Sequence, residues 1–88
     1  MTPEQKELAR HALGLPNNSR RSYRNRFVTE EDNPEWSALV KAGHAKMRAA
    51  KTLPFGGSAM FWLTLEGAKL ALNKGEKLCP EDFPQVPA

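Results

Sequence analysis

Apolar residues recur along this chain at two different periods, and the changes of period divide it into elements. Near the start, Leu8, Ala9, Ala12 and Leu13 recur at helical spacing, with Glu4, Lys6, Glu7, Arg10 and His11 at the more polar positions. Thr2 is a natural N-cap, Pro3 suits the first helical position, and Gln5 completes a Thr-x-x-Gln capping box. Gly14 supplies a left-handed stop and Pro16 prevents resumption, so a helix is predicted over about 3–13. Asn17-Asn18-Ser19-Arg20-Arg21-Ser22 has the composition of a loop. Residues 23–28 then alternate, with Tyr23 and Phe27 on one side and Arg24 and Arg26 on the other. That pattern predicts a short strand or an extended loop.

Asn33-Pro34 opens a second helix whose apolar face is Trp36, Leu39 and Val40, and Gly43 ends it. From His44 the period falls to two. Ala45 and Met47 are expected to face inward, with Lys46 and Arg48 outward. Thr52-Leu53-Pro54-Phe55-Gly56-Gly57-Ser58 reads as a turn region, and Ala59 to Leu63 as the return strand of a β-hairpin. Thr64 caps a third helix with Leu65, Ala68, Ala71 and Leu72 toward the core, closed by Asn73 and Gly75. Residues 76–88 hold three of the seven prolines, and Leu78 and Phe83 are available to pin this tail down.

The expected fold class is therefore α+β: three helices with a β-hairpin and a possible third short strand at 23–28. The 88 residues suffice for one domain, placed at 1–75, with 76–88 as a proline-rich tail packed on the surface or mobile. The apolar share of 40% supports a modest core, to which both Trp36 and Trp62 are assigned because each lies on an apolar face.

Composition narrows the function classes. No apolar run approaches the roughly 20 residues that span a bilayer, and the opening residues lack the apolar stretch of a signal peptide. Cys79 is the single cysteine, which fits a reducing cytoplasm and excludes an internal disulfide. His11 and His44 have no companion at ligand spacing, and Glu30-Glu31-Asp32 lacks the spaced ligands and glycine of a calcium loop. No metal or cofactor is expected. Cys79 has no histidine near it in sequence to act as a base, and no phosphate-cradling glycine motif occurs, so no catalytic residue is assigned.

The net charge of +3 is unevenly distributed. Residues 1–28 carry six basic and two acidic groups, 29–45 one and four, 46–75 five and one, and the tail one and three. Two basic segments flank an acidic one and form a single positive face if folding joins them. Arg20, Arg21, Arg24 and Arg26, interleaved with Tyr23, suit phosphate binding with a base stacked on the ring. They equally suit an acidic protein surface, or a solvated loop paired with Glu30, Glu31 and Asp32. Lys46, Arg48 and Lys51 on the hairpin extend the basic set toward backbone phosphates. Leu53, Pro54 and Phe55 put apolar groups in a loop tip, which either folds over the core or contacts a protein.

A helix ending Leu39-Val40-x-x-Gly43, a strand with Lys46-Met47-Arg48, and the run Phe61-Trp62-Leu63-Thr64-Leu65-Glu66-Gly67 together resemble the C-terminal half of a winged-helix domain. The resemblance covers about residues 34–72 and implies a winged-helix-like core that binds DNA. The first half departs from that pattern, because one clear helix, not two, precedes the would-be recognition helix. The whole chain also resembles small uncharacterised proteins of tailed-phage and prophage genomes. That kinship rests on the stretches Ala9-Arg10-His11-Ala12-Leu13-Gly14-Leu15-Pro16-Asn17, Ser22-Tyr23-Arg24-Asn25-Arg26-Phe27, Leu53-Pro54-Phe55-Gly56-Gly57 and Phe61-Trp62-Leu63-Thr64-Leu65-Glu66-Gly67-Ala68. It implies a regulator or a modifier of host machinery. The expectation is a non-enzymatic, cytoplasmic binding protein whose partner is nucleic acid or an acidic host-protein surface, with a homodimer left open.

Overall fold

Alternation along one strand organises the fold. The structure, a computed structural model, describes residues 1–49 and 58–84. Its elements run α1 (Pro3–Leu13), β1 (Phe27–Thr29), α2 (Pro34–Lys41), β2 (Ala45–Arg48), β3 (Ala59–Leu63) and α3 (Leu65–Ala71). The three strands form an antiparallel sheet in the order β1-β3-β2, so β3 is paired on both sides. The described residues thus form a small α+β fold of three helices and a three-stranded sheet. Lys51, Leu53, Pro54 and Phe55 lie outside the described residues.

On β3, Ala59, Phe61 and Leu63 are buried, and the helices pack against that side. Trp36 of α2 stacks on Phe61 with ring centroids 5.3 Å apart, and the Phe27 ring of β1 is tilted against the same indole with centroids also 5.3 Å apart. Each fully buried large ring contributes about 2–3 kcal/mol through lost contact with water. The Trp36 Nε1 has no hydrogen-bond partner among the described residues, a cost of about 1–3 kcal/mol against that gain.

Local chemistry fixes the helix ends. Thr2 Oγ1 accepts from the Gln5 N–H and Gln5 Oε1 from the Thr2 N–H, each at 3.1 Å, which is the expected capping box. Gly14 ends α1 at φ 80°, and a Cβ there would fall 2.2 Å from the Tyr23 ring that lies on it. Thr64 joins two elements: its hydroxyl caps the Gly67 N–H and donates to the Gly43 carbonyl at 2.9 Å. Gly67 must be glycine for another reason, since a Cβ would approach the His44 carbonyl oxygen to 2.0 Å. This close approach lets α3 lie against the start of β2.

Three expectations need correction. The strand near residue 23 begins only at Phe27, because Asn25 interrupts it: the Asn25 side-chain amide exchanges two hydrogen bonds with the Leu63 backbone, at 2.8 and 3.0 Å. The side chain thereby does the work of a paired strand residue, and Tyr23 is left 62% exposed. Val40 and Met47, assigned inward, are 37% and 38% exposed because they lie along the α2–β2 margin of the helix layer. Trp62, assigned to the core, is only part-buried. It occupies the alternate face of β3 with Met60, away from Phe61.

Beyond α3, Leu78 and Phe83 enter the same core cluster. Residues 20–22 and 77–79 are bound together through Lys77 N to Arg20 O, Ser22 N to Lys77 O, and Cys79 N to Ser22 Oγ, all between 2.8 and 2.9 Å. Arg10 reaches from α1 to Glu76 in a two-pronged ion pair and also donates to the Ala71 carbonyl at 3.0 Å. The Arg10 guanidinium, helped by the Asn73 N–H, holds the Glu76 carboxyl from its ordinary 4.5 down to about 2, although burial opposes the shift. A carboxyl whose pKa falls on folding stabilises the fold fully above its unfolded pKa and loses that contribution as pH drops through the folded one. Glu76→Gln is therefore expected to cost about 3 kcal/mol in denaturant unfolding at neutral pH, with the deficit shrinking between about pH 4.5 and pH 2. A deficit independent of pH across that window would contradict the assignment.

Candidate functional site

The face of the sheet turned away from the helices carries a different chemistry. The antiparallel registers put Lys46 opposite Trp62, Arg48 opposite Met60, and Val28 opposite Met60 on the other side. Cross-strand neighbours such as these stand about 5 Å apart. Arg26, two residues before Val28, borders a shallow hollow with Met60 and Trp62. The middle of the face is thus an indole and a thioether, flanked by cations on both sides. Asp82, from the tail, brings the one carboxylate that lines the hollows on either side of Trp62 among the described residues.

The basic residues singled out in the sequence divide into three groups. Arg26, Lys46 and Arg48 share the open sheet face, are exposed, and make no ion pair among the described residues. Tyr23 and Arg24 stand at its border, lining the same hollow as Trp62. Arg20 and Arg21 border the tail instead. Their backbones pair with Lys77, and Arg20 takes a left-handed φ of 54° there. Lys51 lies outside the described residues. The acidic run Glu30-Glu31-Asp32 forms no ion pair with any of the four arginines.

Arg24 has a defined structural role. Its Nε and Nη2 donate to the His11 carbonyl at 3.2 and 2.8 Å, in the last turn of α1, and its guanidinium lies 5.3 Å from the Tyr23 ring centroid. The His11 carbonyl already accepts from the Gly14 cap N–H at 3.0 Å, so the Arg24 cation adds a charged donor to it and opposes the helix dipole. Sequence reasoning found the cations but missed Trp62, Met60, Val28 and Asp82. The available signal was the unbroken apolar run Ala59–Leu63, in which a period of two puts apolar groups on both faces.

No group of three or more histidine, cysteine or acidic side chains is placed to hold a metal among the described residues. No helix among them is long and apolar enough to cross a membrane. Arg24→Ala is expected to lower unfolding free energy by about 1–2 kcal/mol, read from the denaturant midpoint, because the His11 carbonyl loses a charged donor. An unchanged midpoint would remove Arg24 from the α1 cap. The chain matches no known protein-family model, and no curated protein or solved structure is similar to it.

Proposed function

We propose that this protein is a non-enzymatic module that binds nucleic acid through the open face of its sheet. The observation that carries the reading is the convergence of Arg26, Lys46 and Arg48, far apart in sequence, around the part-buried Met60 and Trp62, with no ion pair among the described residues. Cations held on or beside paired strands attract phosphate at little reorganisation cost, and the release of condensed counterions drives association. The resemblance to small phage proteins extends the reading to a phage-encoded regulator acting in the host cytoplasm.

The winged-helix route to DNA is less well supported. A recognition helix enters the major groove by its N-terminal residues. Here α2 starts directly after Glu30-Glu31-Asp32 and carries Glu35 in its first turn, so its leading end repels phosphate. No second helix packs before it through a tight turn, because β1 and the loop ahead of it separate α1 from α2. The sheet face, not a helix, is the cationic surface. A host-protein ligand is the second reading, favoured by the half-exposed Val40 and Met47 beside Lys41.

Binding of labelled DNA across a salt series tests the first reading. The logarithm of affinity is expected to fall linearly with the logarithm of salt, and Arg48→Ala to reduce the slope by about 0.7–0.9, the share of one phosphate contact. Absence of binding at low salt would overturn it in favour of a protein partner.

A further inference from the structure

The open face holds a tryptophan where phosphate binding alone needs none. Resting on the nucleic-acid reading, we infer that the ligand is a single strand, with an unpaired base stacked on Trp62 and the backbone following Lys46 and Arg48.

The geometry separates single strands from duplexes. Trp62 and Met60 are two positions apart on the central strand, so their side chains stand about 7 Å apart on one face. Lys46 and Arg48 flank them in register on β2 at the same spacing. One aromatic ring with a thioether next to it, beside a row of cations, matches a chain whose base projects from one side of a charged backbone. Within a duplex the base faces are occupied by their neighbours in the stack, so Trp62 would find nothing to cover. A single strand exposes those faces, and stacking on an aromatic ring contributes about 1–3 kcal/mol for each base.

Surrounding groups line the space beside the indole. The hollow bounded by Tyr23, Arg24, Asn25, Arg26, Met60 and Trp62 has a volume of about 500 Å³ and opens to solvent. It gives a flat ring room on the β1 side of the indole. Asp82 borders this hollow, where its carboxylate disfavours phosphate, and it also borders the one on the far side of Trp62, where Lys46 lies in the same lining. Along β2 the backbone meets Lys46 and Arg48, which form no ion pair among the described residues. Asp82 supplies an acceptor and Arg26 a donor fork to the lining of this hollow.

The test compares labelled oligothymidylate with a duplex of equal length on the full chain at one salt concentration. The wild type is expected to bind the single strand at least tenfold more tightly. Trp62→Leu is expected to weaken single-strand binding about tenfold, the fold-change of one lost stacking contact, and to leave duplex binding unchanged. Oligothymidylate is also expected to quench the Trp62 emission of the wild type, with Trp36→Phe removing the core background. If Trp62→Leu does not fold, Trp62→Phe and the quenching carry the test. Nucleic-acid binding that ignores strandedness, survives Trp62→Leu and quenches nothing would overturn this inference and leave the broader reading standing. No binding of either form at low salt would remove both.

Discussion

A five-residue strand paired along both edges has to send alternate side chains to opposite faces, and this constraint shapes the whole molecule. In β3 it sends Ala59, Phe61 and Leu63 into the helix layer and Met60 and Trp62 out of it. Hydrogen bonding to β1 and β2 makes the partition hard to change, because slipping by one residue would exchange the two sets completely. The inward set nucleates an aromatic column in which Phe27, Trp36 and Phe61 stack in turn. The outward set meets no helix among the described residues. The register then decides which side chains surround it, and those are Val28, Lys46 and Arg48.

Everything else holds that strand in place. Asn25 continues the pairing beyond the end of β1 by lending its side-chain amide to Leu63. Thr64 and Gly67 bind the start of α3 to the link between α2 and β2, the hydroxyl by hydrogen bonds and the glycine by the lack of a side chain. The Arg10–Glu76 pair fastens α1 to the segment after α3, and Arg24 closes the last turn of α1. These contacts are polar and partly buried, so they specify where the helices lie more than they add net stability. The rigid platform that results suits a ligand held by fixed charges and a fixed ring.

Much of the fold was legible because its signals are local. The capping box at Thr2, the left-handed Gly14, the Asn33-Pro34 start of α2 and the Thr64 cap each fix an element from a few adjacent residues, and α1 and β3 fall where those signals place them. Misreadings arose where the deciding partner lies far along the chain. Asn25 stops the pairing before Phe27 only because Leu63 is across from it. Met47 and Val40 have apolar side chains at apolar periods, yet the helix layer ends beside them. Trp62 is the sharpest case: an apolar run tells that both faces of a strand are hydrophobic, not which of them a helix will cover. The cations were visible as residues, but their grouping was not. Only the register of β2 on β3 shows that Lys46 and Arg48 stand beside Trp62, while Arg20 and Arg21 attach to the tail.

The central claim is that the uncovered face of β3 is the working surface. Mapping amide chemical-shift changes on the isotopically labelled protein as oligothymidylate is added tests it most directly. The account predicts changes that cluster on Arg26, Val28, Lys46, Arg48, Met60 and Trp62, together with the Trp62 indole N–H. Changes confined to Arg20, Arg21 and the residues around Lys77, or to the leading turn of α2, would contradict it.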